Sequence, residues 1–183
     1  SPRITSGELR NRKLKLPKFN ELRVVRDLVR QAIFMIIGEK IVNAKVLDLF
    51  AGSGVLGFES ISRGAKFVDF VDENYSCSQT ILENAKNLGI SEQVASHQTK
   101  AIGFIGNAYE KYDIVFLDPP YETTASEVIE ACNLLIENGY LKKGSVLAIE
   151  RDSKSKAITW PKELIPLKER KYGAATIYYA ESC

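Results

Sequence analysis

The run Tyr112-Asp113-Ile114-Val115-Phe116-Leu117-Asp118-Pro119-Pro120-Tyr121 is an apolar stretch that leads straight into an acid, two prolines and an aromatic. Two prolines fix successive φ angles and remove two N–H donors, so a strand must stop there and the following loop is stiff. An exocyclic amine on a nucleic-acid base is a poor nucleophile because its lone pair is conjugated into the ring. Hydrogen bonds from its N–H groups to the Asp118 carboxylate and a nearby loop carbonyl would turn that lone pair toward a methyl donor. Tyr121 would stack on the base and hold its plane, a contact worth about 1–3 kcal/mol. Attack on a sulfonium methyl relieves positive charge on sulfur, so positioning in a partly desolvated pocket can supply most of the catalysis without a metal. A plain strand terminator would explain the prolines but not the acid and the aromatic that flank them.

A second motif precedes it. Asp48-Leu49-Phe50-Ala51-Gly52-Ser53-Gly54-Val55-Leu56-Gly57 places three glycines where a strand gives way to a helix, and Asp72 follows Gly52 by twenty positions. This spacing also satisfies the dinucleotide pattern G-x-G-x-x-G, in which the later acid accepts from ribose hydroxyls, so a nicotinamide-dependent dehydrogenase is a live alternative. A carboxylate at Asp48 argues against it. It would repel a pyrophosphate, whereas it could hold the ammonium end of an amino-acid cofactor directly or through water. S-adenosylmethionine is the cofactor this favours. A P-loop is excluded, because no Lys-Ser/Thr follows the glycines.

These residues must be carried by elements that bring them to one edge. Asp27 to Ile37 has apolar residues at helical spacing and Gly38 as a stop. Strands are expected at 45–50, 66–72, 93–97, 112–117, 145–150, 165–171 and 176–181. Helices are expected at 54–63, 75–88, 101–105 and 125–137. The last two strands flank Tyr172-Gly173 and predict an antiparallel edge hairpin. Ile114 to Leu117 is a continuous apolar run, as a strand buried on both faces should be. The pattern is α/β: a doubly wound, mostly parallel seven-stranded sheet with an antiparallel C-terminal strand, its ligands beyond the carboxyl ends of the strands.

Residues 1–30 hold nine Lys/Arg against three Asp/Glu, a net of +6, and the remainder is −4. Arg3, Arg10, Arg12, Lys13, Lys15 and Lys18 lie on a segment that reads as a basic β-hairpin, expected to meet a polyanion. Lys168, Arg170 and Lys171 either extend that patch or protect an edge strand. Cys77, Cys132 and Cys183 are scattered beside a single histidine, His97, too few ligands for a disulfide framework or a zinc site. His97 is expected at a strand end without a catalytic role, and Trp160 as a packing anchor. No run is apolar for long enough to cross a bilayer, so a cytoplasmic protein is expected.

On these residues together, with the N-terminal Arg3-Ile4 to Leu14 segment, Leu22-Arg23, Val29-Arg30, Phe34, Glu150 and Tyr172-Gly173 with Thr176, the chain resembles the small, single-domain bacterial 16S ribosomal RNA guanine-N2 methyltransferases. That resemblance implies a Rossmann-like class I methyltransferase domain over residues 1–183, residues 1–20 being the hairpin extension and 21–183 the catalytic core. It implies S-adenosylmethionine bound by Asp48, Phe50, Ala51, Gly52, Ser53, Gly54, Asp72, Glu73, Lys100 and Ala101. It further implies a guanine amine met by Asp118, Pro119, Pro120 and Tyr121, and 16S ribosomal RNA or the small subunit contacted by Arg3, Arg10, Arg12, Lys13 and Arg30. A monomer is expected. Lys100-Ala101 stands where such enzymes carry an acid or amide before alanine; an ammonium cannot accept from the adenine amine, which leaves backbone groups to read it. The segment from Val24 to Leu28 also departs from the family pattern. Methylation of adenine N6 shares the Asp-Pro-Pro-Tyr chemistry, and a silent RNA-binding factor is the non-enzymatic alternative.

Overall fold

A computed structural model describes residues 1–18, 24–106 and 110–183. Among these residues five α-helices, α1 (Asp27–Ile37), α2 (Val55–Ser62), α3 (Tyr75–Leu88), α4 (Ala101–Ile105) and α5 (Ala125–Glu137), alternate with seven strands. These are β1 (Lys45–Leu49), β2 (Phe67–Asp72), β3 (Val94–Gln98), β4 (Tyr112–Leu117), β5 (Leu141–Asp152), β6 (Leu164–Tyr172) and β7 (Ala175–Ser182). The strands form one sheet in the order β3-β2-β1-β4-β5-β7-β6. Neighbours from β3 to β5 run parallel, and β7 is antiparallel to both β5 and β6. The fold is the Rossmann-like methyltransferase architecture expected, and the β6–β7 pair is the anticipated edge hairpin. The strand order reverses between β1 and β4, which leaves a crevice above their carboxyl ends.

Side chains alternate across a strand, and here the alternation divides the core into two layers. Val46, Val68, Phe70, Ile114 and Phe116 pack with Val29, Ile33 and Phe34 of α1, Phe58 of α2 and Ile81 of α3. Leu47, Leu49, Val71, Val115 and Leu117 pack on the opposite face with Ala101 and Ile105 of α4 and Val128, Ala131 and Leu135 of α5. Helix ends are set locally. Asn74 accepts from the Cys77 N–H to start α3, and Thr124 with Glu127 forms a reciprocal capping box at the start of α5.

Two regions differ from expectation. The N-terminal segment closes with a single antiparallel bridge, Arg3 to Lys13, and not with a ladder. The N–H groups of Ile4, Asn11 and Leu14 donate within the segment, to the Arg12, Ile4 and Pro2 carbonyls, while the turn between is tied to α2: Thr5 and Ser6 N–H donate to the Glu59 carboxylate, Glu8 N–H to the Ser62 carbonyl and Leu9 N–H to Ser62 Oγ. β5 begins at Leu141, earlier than expected, because Tyr112 pairs with Leu141 across a bulge and Lys142 reaches Asp113 at 2.6 Å. Leu22-Arg23 and the last two residues of the expected N-terminal extension lie outside the described residues.

Candidate active site

A cleft of about 1040 Å3 opens above the carboxyl ends of β1, β2 and β4. Its lining includes Phe50, Ala51 and Gly52 from the loop after β1, Asp72 and Glu73 from the end of β2, Lys100 and Ala101 at the start of α4, and Asp118, Pro120 and Tyr121 after β4. Most of the residues expected to meet the cofactor or the target base are therefore brought to one place. Asp48, Ser53, Gly54 and Pro119 are not part of that lining, although they sit in the segments that build it.

The loop after β1 is held in an uncommon backbone path. Phe50 has φ of 59°, a left-handed conformation that costs a non-glycine residue about 1–3 kcal/mol. Gly54 follows at φ of 80° as the N-cap of α2. Gly57 answers a different need: a Cβ there would lie 2.1 Å from the Phe70 ring, so only glycine lets α2 seat on β2. Asp72 fixes the loop from below. Its two carboxylate oxygens accept the Gly52 N–H at 2.8 Å and the Asn74 N–H at 2.9 Å. A carboxylate has about four acceptor positions, so after these two bonds it can still accept a pair of hydroxyls from the cleft.

Asp48 requires a correction. The side chain expected to meet a cofactor ammonium is 2% exposed, and its Oδ2 accepts the Gly57 N–H at 3.2 Å. Burial pushes its carboxyl well above the ordinary aspartate value; the Gly57 N–H opposes the rise and the nearby Asp72 charge adds to it. Asp48 thus ties β1 to the first turn of α2 and supports the loop from behind. The same contact bears on the dinucleotide alternative. A pyrophosphate needs the early N–H groups of the helix, and here the Gly57 N–H is already donated to a side chain.

Arg30, expected among the substrate contacts, is also corrected. It is 1% exposed and donates to Glu59 Oε1 at 3.0 Å, to the Val25 carbonyl at 2.9 Å and to Asp27 at 2.9 Å. Its guanidinium also donates to the Arg3 carbonyl, so it is spent inside the fold. Arg3, Arg10, Arg12 and Lys13 are exposed, and none lines the cleft. Lys100 lines it as the N-cap of α4, and Ala101 is buried there. His97 is not alone: its Nε2 lies 2.8 Å from Asp69, whose other oxygen accepts from Tyr112 at 2.6 Å. Trp160 packs half-buried against the second core layer.

Sequence reasoning missed Asn74, Thr99, Ile102, Glu122, Thr123 and Glu130, which also line the cleft. Asn74 was findable, because an asparagine immediately before a helical run is an N-cap signal. Glu59, 0% exposed and accepting from the backbone of Thr5 and Ser6 and from the guanidinium groups of Arg30 and Arg63, carried no such signal.

The sheet order, the glycine loop after β1 and the acid ending β2 define the class: a Rossmann-like methyltransferase fold. The family model described as Conserved hypothetical protein 95 matches residues 2–181, and the chain belongs to that family. It is similar to ribosomal RNA small subunit methyltransferase D of Haemophilus influenzae, with 34% identity over 174 residues that cover 93% of this chain and 89% of the relative. It superposes on a solved candidate methyltransferase from Escherichia coli with a TM-score of 0.87 and 30% identity, covering 99% of this chain and 97% of the other. An RNA methyltransferase of Salinibacter ruber, solved in complex with S-adenosyl-L-homocysteine, shares the fold at 15% identity and a TM-score of 0.65, covering 87% of this chain and 94% of that one.

Proposed function

We propose that this chain transfers the methyl group of S-adenosylmethionine to the exocyclic N2 amine of a guanine in small-subunit ribosomal RNA. The observation that carries the reading is the meeting of Asp72 and the Asp118-to-Tyr121 loop in one cleft, a diol acceptor at one end and an amine-orienting acid with a stacking ring at the other. The relatives that act on small-subunit ribosomal RNA supply the substrate class, and the sequence resemblance supplies guanine N2 over adenine N6.

In this reading Asp72 accepts the ribose hydroxyls of the cofactor, while Phe50, Ala51 and Gly52 form the wall beside it and Glu73, Lys100 and Ala101 close the cleft around the adenine. S-adenosylmethionine supplies an electrophilic methyl and a neutral thioether leaving group. Asp118 accepts from the guanine amine and aims its lone pair; Pro119 and Pro120 keep that carboxylate from swinging away. Tyr121 is 59% exposed, so a stacked base would cover a ring that otherwise faces solvent. With the donor bound, the amine nitrogen would take the methyl as the carbon–sulfur pair returns to sulfur, and the surplus amine proton would then pass to solvent. The exposed Arg3, Arg10, Arg12 and Lys13 contribute a phosphate-facing surface.

The test is transfer of a radiolabelled methyl group to small ribosomal subunits and to their naked RNA, followed by mass spectrometry of the labelled nucleoside. N2-methylguanosine is expected, with loss of label in Asp118→Ala. N6-methyladenosine would replace the base assignment; binding of NAD without binding of S-adenosylmethionine, or binding without transfer, would overturn the reading.

A further inference from the structure

Tyr121 stands between two clefts. Beyond it, on the side away from Asp72, a second cleft of about 960 Å3 is bounded by Tyr121, Ser126 and Glu130 on one side and by Arg151, Ser155 and Lys156 on the other. Tyr121 and Glu130 line both clefts, so the two are continuous around the ring.

Arg151 is the informative member. It is 5% exposed and its Nη1 donates to the Thr123 carbonyl at 2.8 Å, which ties a cation at the end of β5 to the loop that carries Tyr121. Lys156, in the loop after β5, is exposed. Glu130 is the acidic group of this lining and belongs to α5, so the positive charge gathers on the β5 side of the cleft. Thr124, at the start of α5, spends its hydroxyl on the Glu127 N–H and carboxylate.

We propose that this second cleft receives the sugar–phosphate backbone next to the target base, with Arg151 and Lys156 as the phosphate contacts and Ser126 and Ser155 as neutral donors beside them. The inference rests on the reading of Tyr121 as a stacking ring for a base in RNA. A base laid on Tyr121 carries its own phosphodiester links within a nucleotide's reach of the ring, and the cleft that meets the ring there is the one with the buried cation. A guanidinium held by a backbone carbonyl keeps donors in a fixed fork suited to phosphate oxygens, whereas lysine acts as a point charge. Base and flank would then be gripped from the two sides of one side chain, which adds affinity for RNA without touching the reacting atoms.

The experiment uses the full chain and a short, labelled single-stranded RNA that contains guanine, with binding followed by fluorescence anisotropy over a salt series. Lys156→Ala should weaken binding and reduce the slope of log K against log salt by about 0.7, the loss of one phosphate contact to a single strand. Arg151→Lys, which keeps the charge and loses the fork, should weaken binding with little change in slope. Both should raise KM for RNA with kcat and S-adenosylmethionine affinity unchanged. Wild-type affinity and slope in Lys156→Ala would overturn the proposal whether or not Arg151→Lys folds, and so would a wild type that binds no such RNA. RNA binding that depends on Lys156 and Arg151 without methyl transfer would leave the cleft standing and remove the proposed function instead.

Discussion

Arg30 Nε lies 3.0 Å from Glu59 Oε1, with both side chains shut away from solvent. Glu59 also accepts the N–H groups of Thr5 and Ser6, and Arg30 also donates to the Arg3 carbonyl. One buried ion pair therefore pins the basic N-terminal segment to α1 and α2. A buried charge left without any partner costs about 3–5 kcal/mol. Glu59→Gln leaves Arg30 paired with Asp27, so it should lower the unfolding free energy in urea melts by less than that. Limited proteolysis should also cut within residues 1–18 sooner than in the wild type; equal rates would mean the segment is held by other contacts.

Gly57 faces Phe70 with no room for a methyl group, since a Cβ would approach the ring to 2.1 Å. Gly57→Ala should destabilise the fold by about 1–3 kcal/mol through overpacking. Combining it with Phe70→Leu should recover part of the loss in thermal melts. No recovery would place the strain in the backbone and not at the ring.

Asp72 is the acceptor on which the cofactor reading depends. Asp72→Ala removes hydrogen bonds to a charged group, each worth about 1.5–3 kcal/mol, and should weaken S-adenosylmethionine by at least about tenfold in calorimetry. The loop also loses its hold on the Gly52 N–H, so a fall in melting temperature is expected alongside. Undiminished affinity would dismiss Asp72 as the ribose acceptor.

Tyr121 is expected to act through its ring. Tyr121→Phe should keep methyl transfer near the wild-type rate, while Tyr121→Ala should lose about 1–3 kcal/mol of RNA binding and transition-state positioning. Steady-state kinetics on small subunits separates the two, and equal losses in both variants would assign the work to the hydroxyl.

Asp48 sets a pH dependence. Burial raises its carboxyl in the folded state, so the folded chain holds that proton more tightly than the unfolded one. The stability this confers is complete below the ordinary aspartate value and is lost as pH rises through the raised folded value. Asp48→Asn carries no such proton, so the difference in stability should move in favour of the variant as pH rises across that window. Denaturant melts at several pH values would show it, and a pH-independent difference would rule it out.

The elements were legible where periodicity and punctuation agreed. The apolar spacing from Asp27 to Ile37 and the stop at Gly38 gave α1 its observed bounds, and Asp72 and Asp118 were readable because each ends an apolar strand. What escaped was decided by distant partners. The strand expected from residue 145 begins at Leu141, because Asp113 holds Lys142 and Tyr112 of β4 pairs with Leu141. The basic segment reads as a hairpin, but nothing within it shows that the distant Glu59 carboxylate takes the Thr5 and Ser6 N–H groups. The resemblance implies ligand contacts at Arg30 and Asp48; only packing shows that both are consumed inside the fold.

The strand order has a consequence for how the chain is made. β7 lies between β5 and β6, so β6, although synthesised earlier, has no neighbour until β7 has followed it. A nascent chain must carry β5 with one open side, Ile149 and its neighbours unpaired, while β6 waits as a lone segment. The natural solution is for β6 and β7 to fold on each other first and dock as a unit, a late step that seals the sheet. A variant that weakens the turn at Gly173 would then show its defect in yield during synthesis before it showed one in the finished molecule.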